Sequence, residues 1–122
     1  MGTFHVGCLV ENHVDRAKSV RIPKLRVDMG SEYTWLPAAK LEHIGVKREK
    51  KDINFVMANG QLVTRSIGFA ILRVDRQFTI DEVVFAEPGD LLLLGARTLE
   101  GLNFTVDAAR KKLVAAGPLP AA

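Results

Sequence analysis

Apolar residues in this chain recur at every second position, in short runs separated by turn-forming residues. That spacing restricts the chain to a β-rich fold. Phe4, Val6, Cys8 and Val10 mark one face of a strand over 3–11, and residues 12–18 are polar and turn-like. Val20, Ile22, Leu25 and Val27 predict a second strand over 19–27, in which Pro23 marks an edge or a bulge because proline brings no N–H to a ladder. Pro37 opens and Gly45 closes a segment whose Leu41 and Ile44 share one face of a short helix. Runs at 53–57 and 62–66 flank Ala58-Asn59-Gly60-Gln61, and Asn-Gly between two such runs predicts a tight hairpin. A second hairpin is expected from 67–74 and 78–85 around Asp75-Arg76. Pro88-Gly89-Asp90 is a turn, and Leu91 to Gly95 reads as a short apolar strand at the centre of a core. Residues 98–102 make one or two helical turns, and 104–106 and 113–114 are closing strands around the polar turn 107–112. The expected fold class is therefore all-β and barrel-like with one or two short helices, as a single domain over 1–116 followed by a loose tail over 117–122.

Composition narrows the function. A chain of 122 residues can bury a real core but is small for an enzyme that must also enclose a substrate, so such an enzyme gains from dimerising. With 48% hydrophobic and 25% charged residues, the balance is that of an ordinary soluble protein. No apolar run approaches the length that crosses a bilayer, so no membrane partner is expected. The start, Met1 to Val6, lacks the basic and apolar regions of a signal peptide, and Met1-Gly2 leads into a strand rather than a myristoylation motif. A cytoplasmic location is the resulting expectation.

Cys8 is the sole cysteine, which excludes an internal disulfide, and its register with Phe4, Val6 and Val10 predicts a buried, inert thiol. The net charge of +3 owes much to Lys47-Arg48-Glu49-Lys50-Lys51, a mixed-sign run that reads as a solvated loop. Without more basic residues on one face and aromatics among them, no nucleic-acid partner is expected. His5, His13 and His43 are dispersed and fit no metal-ligand spacing, and no glycine cluster precedes a helix to cradle phosphate. No metal and no cofactor are expected.

One stretch carries chemistry. In Leu25-Arg26-Val27-Asp28-Met29-Gly30-Ser31-Glu32-Tyr33-Thr34-Trp35-Leu36 an apolar strand runs into an Asp-x-Gly turn, and a second apolar segment follows at once. By itself the triplet is an ordinary turn, since Asp and Gly are common turn residues. A carboxylate on such a turn is nevertheless held by rigid backbone, with Gly30 letting the chain bend closely around it.

Set in order along the chain, these pieces resemble the retroviral-type (retropepsin-like) aspartic proteases, especially their small bacterial single-domain relatives. The family pattern is two apolar residues, Asp-Thr/Ser-Gly-Ala/Ser, two further residues, then Thr and an apolar residue; here it reads Arg26 to Trp35 around Asp28. A flap hairpin follows, matched by Phe55 to Val63 around Asn59-Gly60. The late hydrophobic-hydrophobic-Gly element with its short helix is matched by Leu93-Leu94-Gly95 and the residues up to Glu100. A strand, an Asp-containing turn and a last strand close the family pattern, as Asn103 to Asp107 and Leu113-Val114 do here. The resemblance spans Thr3 to Val114 and implies a closed acid-protease barrel with one lobe per chain. Arg26, at the first of the two apolar positions, is a minor departure, and two others stand out. Met29 replaces the family's Thr or Ser, whose hydroxyl bonds across the dimer, and a thioether cannot donate that bond. Arg97 is displaced by one position from the arginine after the glycine in viral members.

What the resemblance implies is a homodimer acting on extended polypeptide. Two Asp28 carboxylates, one from each chain, would share a proton, one serving as base toward water while the other donates to the scissile carbonyl. Gly30 would allow the close approach of the loop, Ser31 would support it, and Thr34 would tie it to neighbouring backbone. Val56, Met57, Leu62 and Val63 would give apolar pockets, with Ala58, Asn59, Gly60 and Gln61 as the tip that closes over the peptide. Two other readings stand beside this one: a relative without catalysis that binds a peptide or partner protein in the same dimer cleft, and a small barrel with no peptide cleft.

Overall fold

The computed structural model describes residues 3–121 and builds a single, mostly β domain. Met1, Gly2 and Ala122, at the limits of the expected domain and tail, lie outside the described residues. Nine strands and two short helices follow in the order β1 (His5–Glu11), β2 (Ser19–Val27), β3 (Thr34–Pro37), α1 (Ala38–His43), β4 (Lys50–Val56), β5 (Leu62–Val74), β6 (Gln77–Ala86), β7 (Leu93–Leu94), α2 (Ala96–Gly101), β8 (Phe104–Asp107) and β9 (Lys112–Ala115).

Seven strands form a mixed sheet in the order β1-β2-β7-β3-β6-β5-β4, and β1 pairs additionally with β5 through Leu9 to Glu11 against Ile71 to Arg73. Period-two patterning explains which faces go inward. Cys8 and Val10 of β1 and Ile22, Leu25 and Val27 of β2 are buried on one face, whereas β6 is buried on both faces from Val83 to Ala86 and β5 buries most residues from Ile67 on. Ile22 and Leu25 are three apart rather than two because β2 carries one residue more than β1 between the pairs Cys8–Ile22 and Val6–Leu25. Pro23 lies in that irregularity, where its missing N–H costs no ladder bond.

Most buried side chains form one cluster that includes Leu36, Leu41, Phe85, Leu94 and Leu99. A smaller cluster of Trp35, Ile67, Val84, Ala86 and Leu93 sits beneath the β4–β5 hairpin.

Three features differ from the sequence expectation. The runs at 62–66 and 67–74 are one continuous 13-residue strand, because β5 pairs with β4 in its first half and with β6 in its second. The apolar run from Leu91 yields only the two-residue β7, and Leu91 is 57% exposed. Lastly, β8 and β9 form their own two-stranded sheet rather than joining the larger one.

Candidate active site

The Asp28 loop lies where β2 ends beside β7. These strands run parallel, with Val27 opposite Leu94, and the Asp28 N–H donates to the Leu94 carbonyl at 3.0 Å, so the carboxylate emerges from the last rung of a ladder. The loop then folds back on it. Gly30 N–H donates to Asp28 Oδ1 at 2.9 Å and Ser31 N–H to the Asp28 carbonyl at 3.2 Å. An Asp at this position thus organises its own turn through its side chain. Ser31 Oγ donates to the Tyr33 carbonyl at 2.9 Å, fixing the far side of the loop.

The residues after β7 lock this loop from the other side. Ala96 N–H donates to the Ser31 carbonyl at 2.7 Å and Arg97 N–H to the Glu32 carbonyl at 3.1 Å. Gly95 passes so close to the Tyr33 carbonyl that a Cβ there would overlap it. A glycine is required at 95 for this contact.

Beneath the loop runs a buried chain of hydroxyls. Thr34 and Thr98 are both fully buried, with their Oγ1 atoms 2.6 Å apart. Gly95 N–H donates to Thr34 Oγ1 at 2.9 Å, and Thr98 Oγ1 lies 2.8 Å from Asp81 Oδ2. Thr98 Oγ1–H donates to the carboxylate, which leaves Thr98 as acceptor toward Thr34. Every proton in the relay therefore has one direction, from Gly95 through Thr34 and Thr98 to Asp81. Asp81 and its neighbour Glu82 also face Arg97, whose guanidinium lies 2.9 Å from Glu82 Oε2 and stacks over the Tyr33 ring at 4.9 Å. Lys50 bonds Glu82 from the base of the hairpin, and this bond, seconded by Arg97, holds the Glu82 carboxyl below the usual range. Arg97 is thus committed within its own chain.

The hairpin over 57–61 is closed by Met57 N–H to the Gln61 carbonyl at 2.8 Å and by Gln61 N–H to Asn59 Oδ1 at 2.9 Å. Gly60 adopts φ +85°, the conformation its missing Cβ permits. Ala58, Asn59, Gly60 and Gln61 are exposed. Its inner face reaches the Asp28 loop through aromatic contact: the Phe55 ring is 5.6 Å from that of Tyr33 and 5.2 Å from that of Trp35. Of the four expected pocket residues, Met57 and Val63 join this inner face, while Val56 and Leu62 pair with each other on the outer one and are 73% and 66% exposed. Alternation along a strand imposes that division.

Asp28 and Met29 flank a recess of about 400 Å³ that Phe4, Arg26, Val27 and Val106 also line. Met29 is 51% exposed, and Arg26 Nε is buried without a hydrogen-bond partner. Cys8, by contrast, is inert: it is fully buried, and desolvation pushes its thiol up to about 12. Among the described residues no group of three or more His, Cys, Asp or Glu is placed to hold a metal, and no helix is long and apolar enough to cross a membrane.

Sequence reasoning located the loop, the hairpin and Gly95, but not Asp81, Thr98, Tyr33 or Phe55. Thr98 left one signal, a hydroxyl among the apolar positions Leu94, Leu99 and Leu102. Asp81 left none, as a charged residue in a hairpin strand. No protein-family model and no curated protein matches this chain, so the assignment of the Asp28 loop rests on its own geometry.

Proposed function

We propose that this chain is a retropepsin-like aspartic peptidase that works as a two-fold homodimer, with Asp28 from each protomer forming the catalytic pair. The observation that carries the reading is the double anchoring of the Asp28 loop. Its carboxylate sits at the end of a parallel ladder, turned by Gly30, and is held from behind by Gly95 and the Thr34–Thr98 pair. Rigid presentation of one partly exposed carboxylate is what a shared-proton pair requires, since a displacement of an ångström would break it. The pairing of β1 with both β2 and β5 supports a closed barrel, and the exposed 57–61 turn above Tyr33 and Trp35 supports a flap.

In this mechanism one Asp28 takes a proton from water as it attacks the scissile carbonyl, and the protonated Asp28 of the partner donates to the carbonyl oxygen. The hairpin excludes water and offers backbone groups to the extended substrate. Met29 favours a second reading, in which the same dimer cleft binds a peptide without cutting it, because a thioether supplies no proton for a bond between the two loops.

Incubation with an unstructured polypeptide at mildly acidic pH separates the two. The peptidase cleaves it, and Asp28→Asn abolishes cleavage while leaving the circular dichroism unchanged. Cleavage that survives Asp28→Asn, or a chain that stays monomeric at all concentrations, removes the peptidase reading. An inert dimer that retains bound peptide supports the binding one.

A further inference from the structure

Away from the Asp28 loop and the hairpin, a cavity of about 640 Å³ opens between the start of β1, the β5–β6 turn and the β8–β9 turn. Four cationic side chains line it, Arg21, Arg73, Lys111 and Lys112, together with His5. Asp75 is the one acidic residue among its lining. Beneath them lies an apolar floor that includes Phe4, Val6, Leu9 and Leu113.

Three of the cations are uncommitted. Arg73 lies 3.5 Å from Glu11, but among the described residues Arg21, Lys111 and Lys112 take part in no ion pair. Arg21 is laid across the cavity wall at Gly7, where a Cβ would stand 2.7 Å from its terminal nitrogen. A glycine opposite the β2 irregularity thus makes room for the guanidinium. Lys111 holds φ +54°, a left-handed conformation that a long side chain rarely adopts, at the turn that presents both lysines. Unpaired cations that line one cavity favour an anion placed among them.

From this convergence we propose that the cavity is a binding site for a small organic phosphate whose apolar or aromatic body lies on the Phe4–Leu113 floor and whose phosphate is held by Arg21, Lys111 and Lys112. The volume suits a ligand of that size, and the lining offers it both apolar and cationic contacts. The guanidinium offers a planar fork to which phosphate oxygens bond, and the two ammonium groups add point charges that complement the dianion.

Titration of the full-length chain with 1-naphthyl phosphate, followed by calorimetry and amide chemical shifts, tests the proposal. Inorganic phosphate and 1-naphthol serve as separate arms. Saturable submillimolar binding of the ester is expected, with shifts centred on Gly7, Leu9 and Lys112, and with each half-ligand binding at least about tenfold more weakly. Arg21→Glu and Lys112→Glu should each weaken the ester at least about tenfold by reversing a charge beside the phosphate. Arg21→Gln and Lys112→Gln, milder changes, should weaken it in the same direction if either reversal perturbs the fold. Absence of saturable binding, shifts centred elsewhere, naphthol binding as tightly as the ester, inorganic phosphate doing so, or affinity indifferent to all four variants would each overturn the assignment.

Discussion

Thr34 Oγ1 and Thr98 Oγ1 lie 2.6 Å apart, both fully buried, and through them the Asp28 loop is joined to a carboxylate on β6. Neither hydroxyl has water as an alternative partner at that depth. Thr34→Val keeps the shape but strands the Gly95 N–H, so it should destabilise the fold by about 1–3 kcal/mol, whereas Thr34→Ser should cost less. Urea unfolding of the three proteins checks the order.

Gly95 and Gly60 should pay very different costs for a methyl group. Gly95→Ala drives a Cβ into the Tyr33 carbonyl and must displace the Asp28 loop, whereas the space around Gly60 is open and only its φ of +85° is strained. The expected cost is about 1 kcal/mol at Gly60 and more than about 3 kcal/mol at Gly95. Thermal melts of the two variants measure the difference, and Gly60→Val should impair the turn with the domain still folded.

Phe55→Ala should release the hairpin from the loop. It removes a half-buried ring from contact with Tyr33 and Trp35, at about 1–3 kcal/mol. Trp35 is the only tryptophan, so its emission should shift to longer wavelength as the hairpin lifts.

On the proposed reading of a two-fold Asp28 pair, Met29→Thr should tighten the pairing of protomers or raise cleavage. The hydroxyl it introduces can bond across the two loops, and a bond of about 0.5–1.5 kcal/mol corresponds to as much as about tenfold in affinity. Sedimentation equilibrium and a cleavage assay on both proteins read the two effects, and an unchanged, inert dimer favours the binding reading.

Acid should remove the stabilisation that two ion pairs supply. Arg65 makes a two-pronged bond to Asp90, with Nε–Oδ2 at 2.8 Å and Nη2–Oδ1 at 2.9 Å, and this holds the Asp90 carboxyl below its ordinary 3.8. Lys50 does the same to Glu82, whose ordinary value is 4.5. A carboxyl depressed in the folded state binds fewer protons there than in the unfolded chain. Its contribution is therefore complete above the ordinary value and is lost as pH falls below it toward the folded value. Stability should hold through mildly acidic pH and decline below about 4.5. Asp90→Asn and Glu82→Gln should each flatten that decline in urea titrations.

Much of the fold was legible because period two and turn chemistry are local. The β2 limits at Ser19 and Val27 and the Asn59-Gly60 turn follow from residues that are neighbours in sequence. The unity of β5 was hidden, since its inward face changes partner near Ser66 and the apolar pattern breaks there. Leu91 misled because four leucines in a row do not say where the chain turns inward. At the candidate site, Asp28, Gly30 and Gly95 stand out by residue type. The relay does not, because Thr34 and Thr98 are 64 positions apart and are brought together by the placing of β3 between β7 and β6.

The long strand β5 has neighbours on both sides at its C-terminal end, where β6 and β1 flank Ile71 to Arg73, but only β4 beside Leu62 to Arg65. Solvent deuterons should therefore enter this one strand from the hairpin end. The amides of Ile71 and Leu72 should exchange only with global unfolding, while those near Leu62 exchange through openings that leave the rest of the domain intact. A single element then carries both a persistent and a readily opened stretch of backbone, and the hairpin end can move without loosening the part that holds the chain together.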